Sequence, residues 1–175
     1  WIFIAALMAA LVQAADEKTA LERGDYGPLD KALTTALYDY PVQVSEHVYS
    51  AIGATQPPTY ENAGHNNNLS FVIGSEAVLV VNGGSNNALA RALHDEIKSI
   101  TNLPVKYVIS ENGQGHAVYG NHYWKSQGAT LIGHVDAQHE VDDKGFSGLA
   151  RMREYAKEFT QDTELVNFDV TFDDQ

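Results

Sequence analysis

One stretch constrains the fold more than any other. An apolar run, Val78-Leu79-Val80-Val81, passes through Asn82-Gly83-Gly84-Ser85 into a helix and out into a second apolar run at 105–109. Within the helix Leu89, Leu93, Ile97 and Ile100 recur at three- and four-residue spacing, which puts them on one face. Ser85 is placed to cap its start, and Asn102-Leu103-Pro104 stops it. Strand, helix and strand in that order pack as a crossover between parallel neighbours. The chain therefore reads as α/β, with helices covering a parallel or mixed sheet.

Other elements can be placed around this unit. Upstream, Val42, Val44, Val48 and Ser50-Ala51-Ile52 suggest one or two β segments ending at Gly53. Residues 69–73 and 77–81 form two apolar strands joined at Gly74-Ser75-Glu76, a hairpin. Between Gly53 and this hairpin, 55–67 is a long loop with Pro57-Pro58 and the run Asn66-Asn67-Asn68, and loops of that length in compact domains are commonly functional. Downstream come a short helix at 117–127, a strand at 129–132, helices at 134–140 and 149–159, and a last strand at 166–172. Tyr49, Phe71 and Tyr107 are expected in the core.

Residues 1–15 carry no charge and hold an apolar run, Ile2-Phe3-Ile4-Ala5-Ala6-Leu7-Met8-Ala9-Ala10-Leu11-Val12, followed by small residues before Asp16. This is the pattern of a signal peptide, truncated at its start, and the run is short for a membrane span. Residues 16–40 are polar and helix-permissive, with Leu29, Leu33 and Leu37 at four-residue spacing and Pro41 as a stop. The expected division is 1–15 signal peptide, 16–40 helical lead-in, and 41–175 the domain proper. An exported protein, periplasmic or secreted, follows, with no stable membrane span after cleavage.

The formal net charge of −12 repels phosphate backbones, and no basic stripe offsets it, so nucleic acid is not an expected partner. The absence of cysteine excludes disulfides, thiolate zinc sites and a cysteine nucleophile.

Ligand crevices in open α/β sheets lie at the carboxyl ends of strands. Two loops qualify here: 82–85, and the glycine-rich Glu111-Asn112-Gly113-Gln114-Gly115-His116. Gly83-Gly84-Ser85 at a helix start could cradle an anion, but it matches neither the dinucleotide fingerprint nor the phosphate-binding loop, and no lysine follows it. A tight strand-to-helix turn is the better reading. Glu111 and His116 pair an acid with an imidazole, a combination suited to general acid–base work or to metal binding, with His122 nearby on the next helix. His65 lies in the long loop expected to overhang this site. Glu140, Asp142 and Asp143 lack the spacing of a calcium loop and read as a solvated acidic loop.

Taken in order, the landmarks from Val42 to about Ala137 resemble the first half of a metallo-β-lactamase-superfamily domain, nearest to its periplasmic quinoprotein-associated branch. They are the strand pair with its proline-containing loop, the strand Val78-Leu79-Val80-Val81 where the family has an apolar strand ending in Asp-x-Gly, the following helix and strand, the segment Tyr119-Gly120-Asn121-His122-Tyr123-Trp124, and the strand through Ile132-Gly133-His134. The resemblance implies an αββα sandwich, incomplete and represented by its N-terminal half.

The family's zinc motif is His-x-His-x-Asp-His. Registering on Gly120-Asn121 puts Asn112, Gln114, His116 and Ala117 at its four liganding positions. Carboxamides are weak zinc ligands beside imidazole or carboxylate, and alanine offers none. Asn82 stands where the family has an aspartate that orients a metal-bound imidazole. What the resemblance implies is then a divergent hydrolase relative, a pseudoenzyme without bound metal or other cofactor, in which Asn82, Asn112, Gln114 and His116 recognise a small molecule by hydrogen bonds. The alternative is an active metal-dependent hydrolase with a rebuilt zinc site, using His116 and Glu111.

Overall fold

The computed structural model describes residues 35–174. The signal-peptide segment at 1–15 and most of the lead-in at 16–40 lie outside the described residues. Residues 35–40 run as irregular bends, with Leu37 buried against the core.

Seven strands form one sheet in sequence order: β1 (Val42–Ser45), β2 (Val48–Ala51), β3 (Leu69–Ile73), β4 (Val78–Val81), β5 (Val105–Ser110), β6 (Thr130–His134) and β7 (Val170–Phe172). The first four are antiparallel neighbours, and β4 to β7 are parallel. The change of sense falls where the first helix leaves β4, because a hairpin reverses the chain whereas a helical crossover returns it in the same direction. The last strand, short and with its three side chains exposed, pairs with β6.

The helices are α1 (Asn87–Ile100), α2 (Gly115–Val118), α3 (Asn121–Ser126) and α4 (Val135–Ala156), followed by a 3-10 turn (Lys157–Thr160). Register explains where they pack. Tyr49, Phe71, Val80, Val108 and Leu131 lie opposite one another across five strands on one face. Apart from half-buried Tyr49 they are fully buried, together with Leu89, Leu93 and Ile97 of α1 and Trp124 of α3. A second cluster holds Val141, Leu149 and Met152 of α4 against Val118 and Tyr119, and Phe168 packs on both clusters. The helices thus lie on a single face of the sheet. On the other face Val81, Ile109 and Ile132 form a row that is only half-buried, and Val42 and Val170 at its ends are exposed. One helical layer on one sheet is the α/β architecture expected of half an αββα sandwich.

Several local expectations are corrected. Asn86, not Ser85, caps α1: its Oδ1 accepts the Leu89 N–H at 2.8 Å, while the Ser85 hydroxyl donates to the Gly64 carbonyl at 2.8 Å. Ile100 is 39% exposed and Tyr107 is 45% exposed, so neither belongs to the core. Tyr107 alternates out of it because Val105 and Val108 face the helices across an irregularity in the β4–β5 register. The helix expected at 117–127 is two short ones broken at Gly120. Conversely, the two helices expected at 134–140 and 149–159 are one, α4, which runs through Gly145 and Gly148. Both glycines face packed side chains: a Cβ at Gly145 would meet Leu165 and one at Gly148 would meet the Tyr119 hydroxyl. Burial of that face outweighs the weak helix propensity of glycine.

Candidate functional site

The loop after β4 is held by packing against the segment after β5. Asn82 turns it in the left-handed region at φ 67°. The Gly83 N–H donates to the Ala117 carbonyl at 2.7 Å, the Gly120 N–H donates to the Gly84 carbonyl at 2.7 Å, and the Trp124 indole donates to the Gly83 carbonyl at 3.0 Å. A Cβ at Gly83 would lie 2.0 Å from the Asn121 Oδ1, and one at Gly120 would lie 2.0 Å from the Gly83 carbonyl. These glycines serve close backbone approach. With the Gly83 N–H engaged and Ser85 fully buried, the loop is a tight turn and offers no anion cradle.

Asn82 is itself buried. Its Oδ1 accepts the Glu111 N–H at 3.1 Å, and its Nδ2 donates to the Asn68 carbonyl at 3.5 Å, so its amide ties three loops together. Asn112 has a similar local part, accepting the Gln114 N–H on Oδ1 at 2.9 Å. Ala117 is fully buried, and its carbonyl also accepts the Ser110 hydroxyl at 3.2 Å. Glu111 and His116 meet, Oε1 to Nε2, at 3.2 Å, with the imidazole the less exposed of the two. Among the described residues no group of three or more His, Cys, Asp or Glu side chains gathers where one metal ion could be held.

The other histidines go elsewhere. His122 Nδ1 lies 2.9 Å from the Asn87 amide nitrogen and 3.1 Å from the Asp162 carbonyl, and it does not join Glu111 and His116. His94 Nδ1 is 2.9 Å from the Tyr123 hydroxyl, and burial holds its pKa down. His65, within the long loop, is fully buried instead of overhanging a site; burial pushes its pKa down to about 4, and its Nδ1 accepts the Tyr38 N–H at 2.8 Å. His134 caps α4, its Nδ1 accepting the Asp136 N–H at 3.1 Å.

A cleft of about 460 Å³ opens beside the 111–116 loop, between Gln114 and His116 on one wall and α4 on the other, with Pro58 and Asn66 of the long loop at its rim. Its size lies in the range of small-molecule sites. Of the residues expected to bind a ligand, the structure brings Gln114 and His116 to this cleft; Asn82 and Asn112 are not among its lining. The other wall, with Glu140, Lys144, Arg151 and Tyr155 of α4, is not evident from the sequence. Glu140, Asp142 and Asp143 are helical, not an acidic loop. The signal was in the sequence as spacing, but it shows only once a single helix is drawn through Gly145 and Gly148. At the back of the cleft the Tyr119 hydroxyl donates to the Gly145 carbonyl at 3.0 Å, and burial pushes its pKa up to about 12.

No protein-family model matches the chain, and no curated protein matches its sequence. Among solved structures it is similar to the metallo-β-lactamase FIM-1 from Pseudomonas aeruginosa in its mono-zinc form, with a TM-score of 0.49 and 11% identity over 60% of this chain and 46% of that one. The chain spans less than half the length of that enzyme. None of the described helices is long and apolar enough to cross a membrane.

Proposed function

We propose that this chain is part of an exported, divergent relative of the metallo-β-lactamase superfamily that binds a small molecule without hydrolysing it through a dinuclear zinc centre. The observation that carries the reading is the donor set at the loop after β5. In the resemblance Asn112, Gln114, His116 and Ala117 take the zinc positions, and of these only His116 is a strong metal donor. The Asn112 and Asn82 amide oxygens already accept backbone N–H groups, and Ala117 presents a buried methyl. This set does not fit a zinc ion held in the family's manner. What the same loop does offer is one wall of a cleft of small-molecule size, to which Gln114 and His116 contribute hydrogen-bonding groups.

One contact favours a second reading, a metal-dependent hydrolase with rebuilt ligands. Glu111 and His116 stand 3.2 Å apart, an acid–imidazole pair that could share a metal with groups from a longer chain or act as general acid and base.

Elemental analysis of the full-length protein, purified without chelator and dialysed, separates the two. The binding reading expects far less than one zinc per chain and no hydrolysis of β-lactam or ester substrates above buffer. Stoichiometric zinc that disappears in His116→Ala would establish the rebuilt site. Export is checked by the intact mass of protein recovered from the periplasm: a species that retains residues 1–15 would sink it.

A further inference from the structure

Along α4 the residues Glu140, Lys144, Gly148, Arg151 and Tyr155 are spaced by four, four, three and four positions, and all five line the cleft. That spacing is one face of a helix. Lys144 and Arg151 stand two turns apart, about 10 Å along the axis, so two long side chains can close on one ligand group from either end. Between them Gly148 contributes no side chain, and the Tyr119 hydroxyl lies where a Cβ would be, so the floor of the stripe is a phenol and bare backbone.

The two cations differ from most of the described basic side chains in having no partner. Arg91 pairs with Asp162 at 2.9 Å, Lys98 with Asp95 at 3.3 Å, and Lys125 with Asp169 at 2.5 Å. Arg153 donates to the Thr163 carbonyl at 2.9 Å, and Lys157 lies 5.2 Å from the centre of the Tyr60 ring. Among the described residues neither Lys144 nor Arg151 has an ion pair or a side-chain hydrogen bond, in a protein whose net charge is −12. Glu140, one turn from Lys144, is not within ion-pair distance of it, and Glu111 is engaged with His116. Tyr155 and Pro58, both half-buried, also line the cleft, whereas Tyr119 and Met152 of its lining are buried.

We infer that the α4 wall selects a small aromatic carboxylate, with Arg151 and Lys144 on the carboxylate and the half-buried Tyr155 against the ring. A guanidinium fork matches the two oxygens of a carboxylate, and a flat apolar body covers the half-buried Tyr155 ring, which a bare inorganic anion would leave wet. The inference rests on the reading of the cleft as a small-molecule site and adds the chemistry of its ligand. Both cations are exposed, so binding is weak and falls with salt.

Titration of the full chain at low salt with benzoate, with benzamide and with inorganic phosphate, followed by amide NMR, tests it. Benzoate should shift resonances at 113–116 and along the 144–155 face of α4, and bind about tenfold more tightly than benzamide, which has the same shape without the charge. Arg151→Gln and Lys144→Gln should each weaken benzoate several-fold and leave benzamide unchanged. Lys106→Gln, an exposed lysine of β5 outside the cleft, should change neither. Equal binding of benzoate and benzamide, or phosphate matching benzoate, would overturn the ligand class while leaving the small-molecule reading in place. If neither aromatic compound perturbs the cleft, both readings fall.

Discussion

The side-chain oxygen of Asn82, at the end of β4, accepts the backbone N–H of Glu111, at the end of β5, at 3.1 Å. One buried amide thereby sets the start of the loop that carries His116. Because Asn82 also adopts a left-handed backbone at φ 67°, where asparagine is tolerated better than most residues, its identity is doubly constrained. Asn82→Ala should cost about 1–3 kcal/mol through the unmet Glu111 N–H, with backbone strain added. Asn82→Gly removes the strain but not the lost bond and should fall between the two proteins on urea denaturation. Equal losses for alanine and glycine would mean that the backbone conformation carries no cost.

Leu93 of α1 is fully buried in the core between that helix and the sheet, at 0% accessibility. Leu93→Ala should cost about 2–5 kcal/mol, as for other fully buried leucines. Ile100→Ala, at the same helix's exposed end, should cost well under half of that. A ratio near one on chemical denaturation would contradict the assignment of the buried face.

Stability should begin to decline in mild acid, above the range in which most carboxylates take up protons. His65 has its pKa pushed down to about 4 by burial, and its Nδ1 accepts the Tyr38 N–H, which a protonated ring could not do. Its ordinary value is about 6.5, so on acidification the unfolded chain takes up the proton first. The stabilisation is complete above about pH 6.5 and is lost as pH falls towards about 4, an amount on the order of 3 kcal/mol. His94, held down mainly by its burial, acts in the same direction. Urea unfolding between pH 7.5 and 4.5 checks this, with a flat profile as the contrary result.

Installing the metallo-β-lactamase zinc motif His-x-His-x-Asp-His should destabilise the protein before it recruits metal. Asn112→His and Gln114→His change side chains outside the buried core, and His116→Asp alters a partly exposed one. Ala117→His must place an imidazole where Ala117 is fully buried beside Val118 and Tyr119. Overpacking of this kind costs about 1–3 kcal/mol. The quadruple variant should therefore melt below the triple variant that keeps Ala117, as calorimetry would show; equal melting temperatures would mean that the site has room after all.

The sequence by itself determined the α/β class, the strand–helix–strand unit at 78–110 and the apolar face of α1, because periodicity and punctuation by glycine and proline are local properties. Gly83 could be read as a turn residue for the same reason. Tertiary structure decided what local signals could not carry. The sequence reads as two helices at 134–140 and 149–159, yet one helix, α4, continues through Gly145 and Gly148 between them, where Leu165 and Tyr119 occupy the space a side chain would take. That the Asn82 amide bonds to Glu111 and Asn68 could not be read from the sequence, because both partners are distant along the chain. Lys144 and Arg151 became neighbours of Gln114 and His116 only when α4 packed beside the 111–116 loop, since a cleft is a relation between distant segments and leaves no periodic trace in either one.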